Sequence, residues 1–206
     1  MKASAVASVP NMNGPNSTAA AAQNLCLACG LCCNGVLFKD VELQSRDDAA
    51  QLRSLGLPLK CRLARRNRPA LVAEASNSHW KFPQPCAALG ADGRCRVYDA
   101  RPVRCRDFEC ALFKAVSSGR LNPAAALRVV RKTLQRADEV KRLLRELGDT
   151  NDTLALSLRF KRLRKRLDRG LADEETADLY AQLTLAVHDL NLRLRAEFYP
   201  GDGRWS

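Results

Sequence analysis

The chain has 206 residues and carries 34 lysines and arginines against 22 aspartates and glutamates, a net charge of +12. This length suits one domain with an extension or two small domains, and no apolar stretch is long enough to span a bilayer. The positive charge makes nucleic acid a possible partner. The sequence has no Ser-His-Asp order and no glycine-rich phosphate loop, so it indicates neither a hydrolase nor a kinase and identifies no catalytic residue.

The first 24 residues are small and polar, and they predict a disordered tail. They contain one lysine, no arginine and no apolar run. This pattern favours neither a signal peptide nor a transit peptide, so we expect a cytoplasmic protein.

A dense group of cysteines follows the tail. Four thiols occur within eight residues, at Cys26, Cys29, Cys32 and Cys33. Alanine or valine can fill a core as well as cysteine does, so this density indicates chemistry, most often metal binding. The neighbours Cys32 and Cys33 point in different directions in any regular backbone, so at least one must face sulfurs from elsewhere. The remaining thiols are Cys61, Cys86, Cys95, Cys105 and Cys110.

Disulfides and unliganded redox thiols are the alternatives to a metal. A reducing compartment disfavours disulfides, and an odd total of nine cysteines leaves at least one outside any complete pairing. We therefore expect metal ligation.

Few regular elements are predicted within the cysteine-bearing segment. The apolar residues 35–38 could form a strand or line the core. Ser45 is expected to open a helix with Leu52 and Leu55 on one face, ended by Gly56 and Pro58. The pattern at residues 60–80 is weak, with arginines at 65, 66 and 68 and a short apolar piece at 70–75. Residues 83–113 are expected to form loops punctuated by turns.

Three helices are predicted after residue 119. The first begins at Asn122-Pro123 and ends at Gly148, and the second ends at Gly170. The third begins near Asp173 and ends before Pro200. We predict a mainly α protein with irregular loops, in which a small metal-stapled domain precedes an antiparallel helical hairpin or three-helix extension. The expected boundaries are 1–24, 25–118, 119–200 and 201–206.

Further motifs follow the first cysteines in a fixed order: Pro-Cys-x2-Leu at Cys86, Gly-x-Cys-x2-Tyr at Cys95 and Arg-Pro-x2-Cys-Arg-x-Phe at Cys105. Together with Cys-x2-Cys-x2-Cys-Cys, they resemble the bacterial CxxCxxCC family, also called the YkgJ-like cysteine-cluster family, over residues 24–113. The resemblance implies a zinc- or iron-chelating domain. A related domain occurs in a flagellin lysine methylase, where an iron-sulfur cluster is implied. The expected metal ligands are Cys26, Cys29, Cys32, Cys33, Cys61, Cys86, Cys95, Cys105 and Cys110.

Both metals named by this resemblance suit cysteine ligands. Structural zinc and a [4Fe-4S] cluster each take four thiolates, so eight thiolates would make two sets. The spacing Cys26-x2-Cys29-x2-Cys32 matches the first three ligands of bacterial ferredoxin-type clusters, whose fourth ligand is remote. We therefore favour an iron-sulfur cluster over zinc for at least one site.

Arginines and histidines near the cysteines have alternative roles. Five arginines flank Cys95 and Cys105, namely Arg94, Arg96, Arg101, Arg104 and Arg106. We expect them to compensate the negative charge of a thiolate-bound metal, and the alternative is that they face an anionic substrate. His79 could reach the metal, although its spacing matches no ligand pattern. His188 is expected at a surface or in packing.

The basic residues 159–169 predict either a solvated helix face, partly neutralised by the acidic third helix, or a nucleic-acid contact. The function that we expect is metal binding in redox chemistry, metal handling or support of a modifying enzyme, with a protein partner possible and no membrane association. The alternative is a structural zinc module whose basic helices bind nucleic acid or a protein. Methyl transfer is supported only by the distant relative.

Overall fold

The computed structural model describes residues 15–62, 79–170 and 173–199. These ranges contain seven helices, α1 (Pro15–Cys29), α2 (Arg46–Ser54), α3 (Val103–Asp107), α4 (Ala111–Ser117), α5 (Pro123–Glu146), α6 (Leu156–Leu167) and α7 (Glu174–Glu197). The strands are β1 (Asp40–Glu42), β2 (Lys60–Arg62) and β3 (His79–Pro83). The prediction of a mainly α fold with irregular loops is confirmed.

The long C-terminal helices begin and end where the sequence predicts. The Asn122 side chain caps α5 by accepting a hydrogen bond from the Ala124 N–H at 2.8 Å, and α5 ends just before Gly148, whose φ is +80°. The Asp173 carboxylate accepts a hydrogen bond from the Thr176 N–H at 2.8 Å and so caps α7. These caps satisfy backbone groups that have no partner within the helix.

One hydrophobic core joins the N-terminal and C-terminal parts of the chain. α5 packs mainly against α7, and α1 packs against α4 and α5. The shared core includes Leu25, Leu31, Val130, Leu163 and Phe198. The helical extension that we expected as a separate segment is therefore packed directly on the cysteine-bearing segment.

Helix α1 begins within the segment that was expected to be a disordered tail. Residues 15–24 are helical, and Ala22 is completely buried in the shared core. Small side chains here allow α1 to lie close to its neighbours. The low apolar content of this stretch therefore reflects close helix packing.

The three strands form an antiparallel sheet in the order β1-β3-β2. This sheet and α2 enclose a second, smaller core, with Leu43, Leu52 and Phe82 buried in it. Ser45 caps α2 as predicted, since its hydroxyl oxygen accepts a hydrogen bond from the Asp48 N–H at 3.0 Å. Leu55 is 45% exposed and does not share the buried face of Leu52.

The rest of the cysteine-bearing segment is more regular than predicted. Residues 83–113, expected to be loops, contain the end of β3, all of α3 and the start of α4. Residues 35–38 form no strand, and Val36 and Leu37 line the shared core. The arginines at 65, 66 and 68 and the apolar piece at 70–75 lie outside the described residues.

Candidate metal centre

Eight of the nine cysteines fall into two groups of neighbouring thiols. The first group consists of Cys26, Cys29, Cys32 and Cys110. Burial, with smaller contributions from Cys110 and Cys26, raises the pKa of Cys29 to about 12. Burial also raises the pKa of Cys32 well above its usual value, with added contributions from Cys29, Cys33, Cys110 and Cys26. The four thiols therefore share one electrostatic neighbourhood.

The packing of α4 on α1 brings the first group together. Cys26 and Cys29 are three residues apart near the end of α1, which places them on one helix face. Gly30, with φ of +62°, turns the chain from α1 toward Cys32. Cys110 caps α4, and its sulfur accepts a hydrogen bond from the Phe113 N–H at 3.3 Å. Cys110 thus lies near three cysteines that precede it by 78 residues or more.

The second group consists of Cys33, Cys86, Cys95 and Cys105. Burial, with smaller contributions from Cys86, Cys105, Cys95 and then Cys26 of the first group, raises the pKa of Cys33 to about 12. Burial, with smaller contributions from Cys86 and Cys95, likewise raises the pKa of Cys105 to about 12. The Cys86 N–H donates to the Cys33 carbonyl at 2.7 Å and ties these two segments together.

The adjacent residues Cys32 and Cys33 thus join different groups. Among the other thiols, Cys29 has the largest effect on the pKa of Cys32, and Cys86 has the largest effect on the pKa of Cys33. This division is consistent with the prediction that one of this pair faces sulfurs from elsewhere. The two groups are consequently joined through a single peptide unit.

Cations and backbone N–H groups lie close to the thiols. Arg101 lowers the pKa of Cys26 and of Cys105 against the larger effect of burial, and Arg96 does the same for Cys86. The Arg101 guanidinium lies 3.7 Å from the centre of the Tyr98 ring and donates to the Tyr98 carbonyl at 2.9 Å, which fixes its position. Two of the five candidate arginines therefore favour thiolate formation.

Backbone N–H groups act in the same direction. The Leu31 N–H lowers the pKa of Cys29, and the N–H groups of Ala88 and Leu89 lower that of Cys86, each against the larger effect of burial. Hydrogen bonds of this kind stabilise the negative charge of a thiolate.

Two polar residues near the thiols were not predicted as part of the site. Asp48 is buried, accepts the Val103 N–H at 3.3 Å and raises the pKa of Cys105. Gln84 is also buried, and its side-chain oxygen has no hydrogen-bond partner among the described residues. Asp48 lies in the first turn of α2, so its sequence position indicates only a helix start. Gln84 has no distinguishing sequence signal.

A cavity of about 610 Å³ lies between the two groups. Gln84 lines it together with thiols of both groups, namely Cys26, Cys32, Cys33, Cys86, Cys95 and Cys105. Both groups are thus accessible from one space.

All nine cysteines are free thiols. Within residues 15–62, 79–170 and 173–199, no group of three or more His, Cys, Asp or Glu side chains is arranged to hold a metal ion. A charge influences its neighbours over several ångströms, whereas a sulfur ligand lies about 2.3 Å from zinc. The pKa effects therefore show which thiols lie near one another. The sulfurs must still move closer together before they can ligate a metal.

The other candidate ligands lie apart from these groups. Cys61 is exposed on β2, where its Cα lies opposite that of Trp80, and it is not among the described residues that line the cavity shared by six of the other thiols. His188 is exposed on α7, as expected for a surface residue. The side chain of His79 lies outside the part of the chain that the structure describes.

Comparison with known families supports metal binding by this segment. Residues 25–126 match the model of the CxxCxxCC family, described as "Putative zinc- or iron-chelating domain". Comparisons with curated proteins and with solved structures give no match. None of the described helices is both long and apolar enough to cross a membrane. The family match includes both thiol groups and α4, and it ends within α5.

Proposed function

Because the chain belongs to the CxxCxxCC family of zinc- or iron-chelating domains, we propose that it holds two metal centres, each ligated by four cysteines. The ligands of the first centre are Cys26, Cys29, Cys32 and Cys110. Those of the second are Cys33, Cys86, Cys95 and Cys105. The observation that carries this assignment is the separation of two neighbouring thiols. Cys29 has the largest effect of any thiol on the pKa of Cys32, whereas Cys86 has the largest effect on that of Cys33 and is tied to Cys33 by a backbone hydrogen bond of 2.7 Å.

The chemistry of these side chains fits a bound metal. Four thiolates form the usual ligand set of a structural zinc ion and of a [4Fe-4S] cluster. Burial raises the pKa values of thiols such as Cys29 and Cys105, so their thiolates need compensation by a cation, which a metal ion provides as the protons leave. Arg101, Arg96 and the nearby backbone N–H groups would stabilise the negative charge that four thiolates leave on the loaded site.

An iron-sulfur cluster is the favoured occupant of at least the first centre. Cys26, Cys29 and Cys32 follow the C-x2-C-x2-C spacing of bacterial ferredoxin-type clusters, and Cys110 would provide the remote fourth ligand. Cys32 and Cys33 are consecutive, so the two centres would lie at most about 14 Å apart, given ~3.8 Å between neighbouring Cα atoms and ~5 Å from each Cα to its metal. If each centre held a cluster, this separation would suit electron transfer between them, and such transfer would be a redox role for the protein.

The bound metal supplies the redox chemistry or the structural cross-link, and the protein determines where the metal lies and how its charge is balanced. Metal handling or support of a modifying enzyme would use the same ligands. The cavity between the groups gives small molecules access to both sets of thiols.

Anaerobic purification followed by a visible spectrum and analysis of iron, zinc and acid-labile sulfide tests this proposal. We expect a brown protein that contains iron and sulfide in equal amounts. A colourless protein with two zinc ions would retain the two centres and contradict the redox role. A protein without stoichiometric metal would contradict both.

A further inference from the structure

A second cavity, remote from the thiols in sequence, is lined mainly by cations. It has a volume of about 430 Å³ and lies where the turn after α5 meets α6. Its lining residues are Asp149, Arg162, Leu163, Lys165, Arg166, Arg169 and Gly170. The four cations are spaced at i, i+3, i+4 and i+7, so they follow one face of α6 and the turn that continues it. We call these four cations the basic stripe.

Asp149, the one acidic residue among the described lining residues, is already neutralised from the core side. Asp149 is 8% exposed, and Arg159, which is 2% exposed, places Nε 3.0 Å from Asp149 Oδ1. The same guanidinium donates from Nη2 to the Asp149 carbonyl at 2.7 Å. Asp149 therefore does little to reduce the positive charge of the basic stripe.

Within the part of the chain that the structure describes, the basic stripe also has no acidic partner. None of its four cations forms an ion pair with another residue that the structure describes, and no ion pair joins α6 to the acidic α7. On α5, by contrast, Arg136, Lys141, Arg142 and Arg145 each have an acidic partner. The expected neutralisation of this helix by α7 thus involves no direct ion pair in the described residues.

Like charges at these spacings destabilise a helix, since they repel each other across one turn. The dipole of α6 favours cations in its last turn, but its effect falls off within that turn. It therefore accounts for part of the basic stripe but not for Arg162, which lies one turn earlier. A bound anion would account for the complete set.

One cation of the stripe is held in place. The Arg166 guanidinium donates from Nη2 to the Leu147 carbonyl at the end of α5. It also lies close to Gly148, where an added Cβ would be 3.5 Å from Arg166 Nη2. An anchored cation loses less conformational entropy on binding a ligand than a freely moving one does.

We propose that this cavity binds an oligophosphate, an anion with two or more phosphate groups in a row. The stripe spans seven residue steps, or about 10 Å along the helix axis, which gives several phosphates a cation each. The surface is concave, as suits a compact anion, and none of its described lining residues is aromatic, so it offers phosphate contacts without base stacking. Such phosphates can belong to a free oligophosphate or to a nucleic-acid backbone.

Calorimetric titration of the full-length, metal-loaded chain tests this proposal. The two probes are inorganic tripolyphosphate and a short single-stranded oligonucleotide, each titrated at several salt concentrations. The cavity variant R162Q/K165Q/R169Q leaves the anchored Arg166 intact. The matched control R128Q/R131Q/K132Q removes the same charge from exposed positions on α5.

We expect the cavity variant to lose about tenfold to hundredfold in affinity, from three exposed charge contacts of modest strength each. The control should change by less than about threefold, because it leaves the cavity intact and alters only long-range attraction, which salt screens. Metal content should be unchanged in both variants, so this result is independent of the metal centres.

Tripolyphosphate binding without oligonucleotide binding would support a free oligophosphate as the ligand. Binding of both, with an affinity for the oligonucleotide that falls steeply with salt, would support a nucleic-acid backbone. The proposal is overturned if neither probe binds at low salt, if the cavity variant binds as the wild type does, or if the two triple variants weaken binding equally.

Discussion

Replacing Arg159 by methionine should destabilise the protein strongly. Arg159 is almost completely buried and joins α6 to the turn after α5 through three contacts. Its Nε lies 3.0 Å from Asp149 Oδ1, its Nη2 donates to the Asp149 carbonyl at 2.7 Å, and its Nη1 lies 2.5 Å from Asp152 Oδ1. Methionine fills part of the volume but leaves the buried Asp149 carboxylate without its cation. Removal of one partner of a buried ion pair costs about 3–5 kcal/mol.

Urea unfolding followed by circular dichroism measures this loss in the metal-free chain. Arg145→Met is the matched control, because Arg145 pairs with the same Asp152 at 2.9 Å but both side chains are about half exposed. Exposed pairs contribute about 0–1 kcal/mol, so the control should change stability little. Adding Asp149→Asn to Arg159→Met should recover part of the loss, because it removes the uncompensated charge. A loss below about 1 kcal/mol for Arg159→Met would refute this reasoning, given the magnitudes above.

Three further predictions concern pH, the core and a helix cap. Burial raises the pKa of Cys29 and of Cys33 to about 12 from an ordinary value of 9.0. The stability of the metal-free chain should therefore be intact below pH 9 and fall as the pH rises toward 12. Urea unfolding curves that do not shift between pH 8 and 11 would contradict this. Phe198→Ala should lower the free energy of unfolding in urea by about 3–5 kcal/mol, because Phe198 is buried in the shared core. Leu192→Ala, on the exposed side of α7, should lower it by less than about 0.5 kcal/mol. Similar losses in both variants would argue against the shared core. Asn122→Ala should cost about 1 kcal/mol through loss of the α5 cap, with Asn122→Asp as the variant expected to retain stability.

The sequence predicts the long helices well because their signals are local. Asn122 and Asp173 cap their helices through contacts two or three residues along the chain, and Gly148 ends α5 in the left-handed conformation. β1 and β2 are three residues long, which is too short to show an alternating pattern. α1 carries small side chains whose burial depends on neighbouring helices, so composition alone favoured disorder there.

The cysteines were identifiable from their density, but their grouping was not. Cys110 lies outside the family motifs near Cys86, Cys95 and Cys105, yet the packing of α4 on α1 places it beside Cys26. Asp48 approaches Cys105 through the packing of α2 near α3. Contacts of this kind depend on tertiary structure and leave no pattern in sequence spacing. The assignment of eight of the nine expected ligands remains a proposal, and it leaves out Cys61.

Metal content per chain in single cysteine variants tests the two-centre arrangement most directly. Cys110→Ser and Cys86→Ser should each lose half of the bound metal, because each removes a ligand of a different centre, and their combination should lose nearly all of it. Cys61→Ser should retain the full content, since Cys61 lies apart from both groups. Full metal content in both Cys110→Ser and Cys86→Ser, or loss of metal in Cys61→Ser, would contradict this division of the thiols.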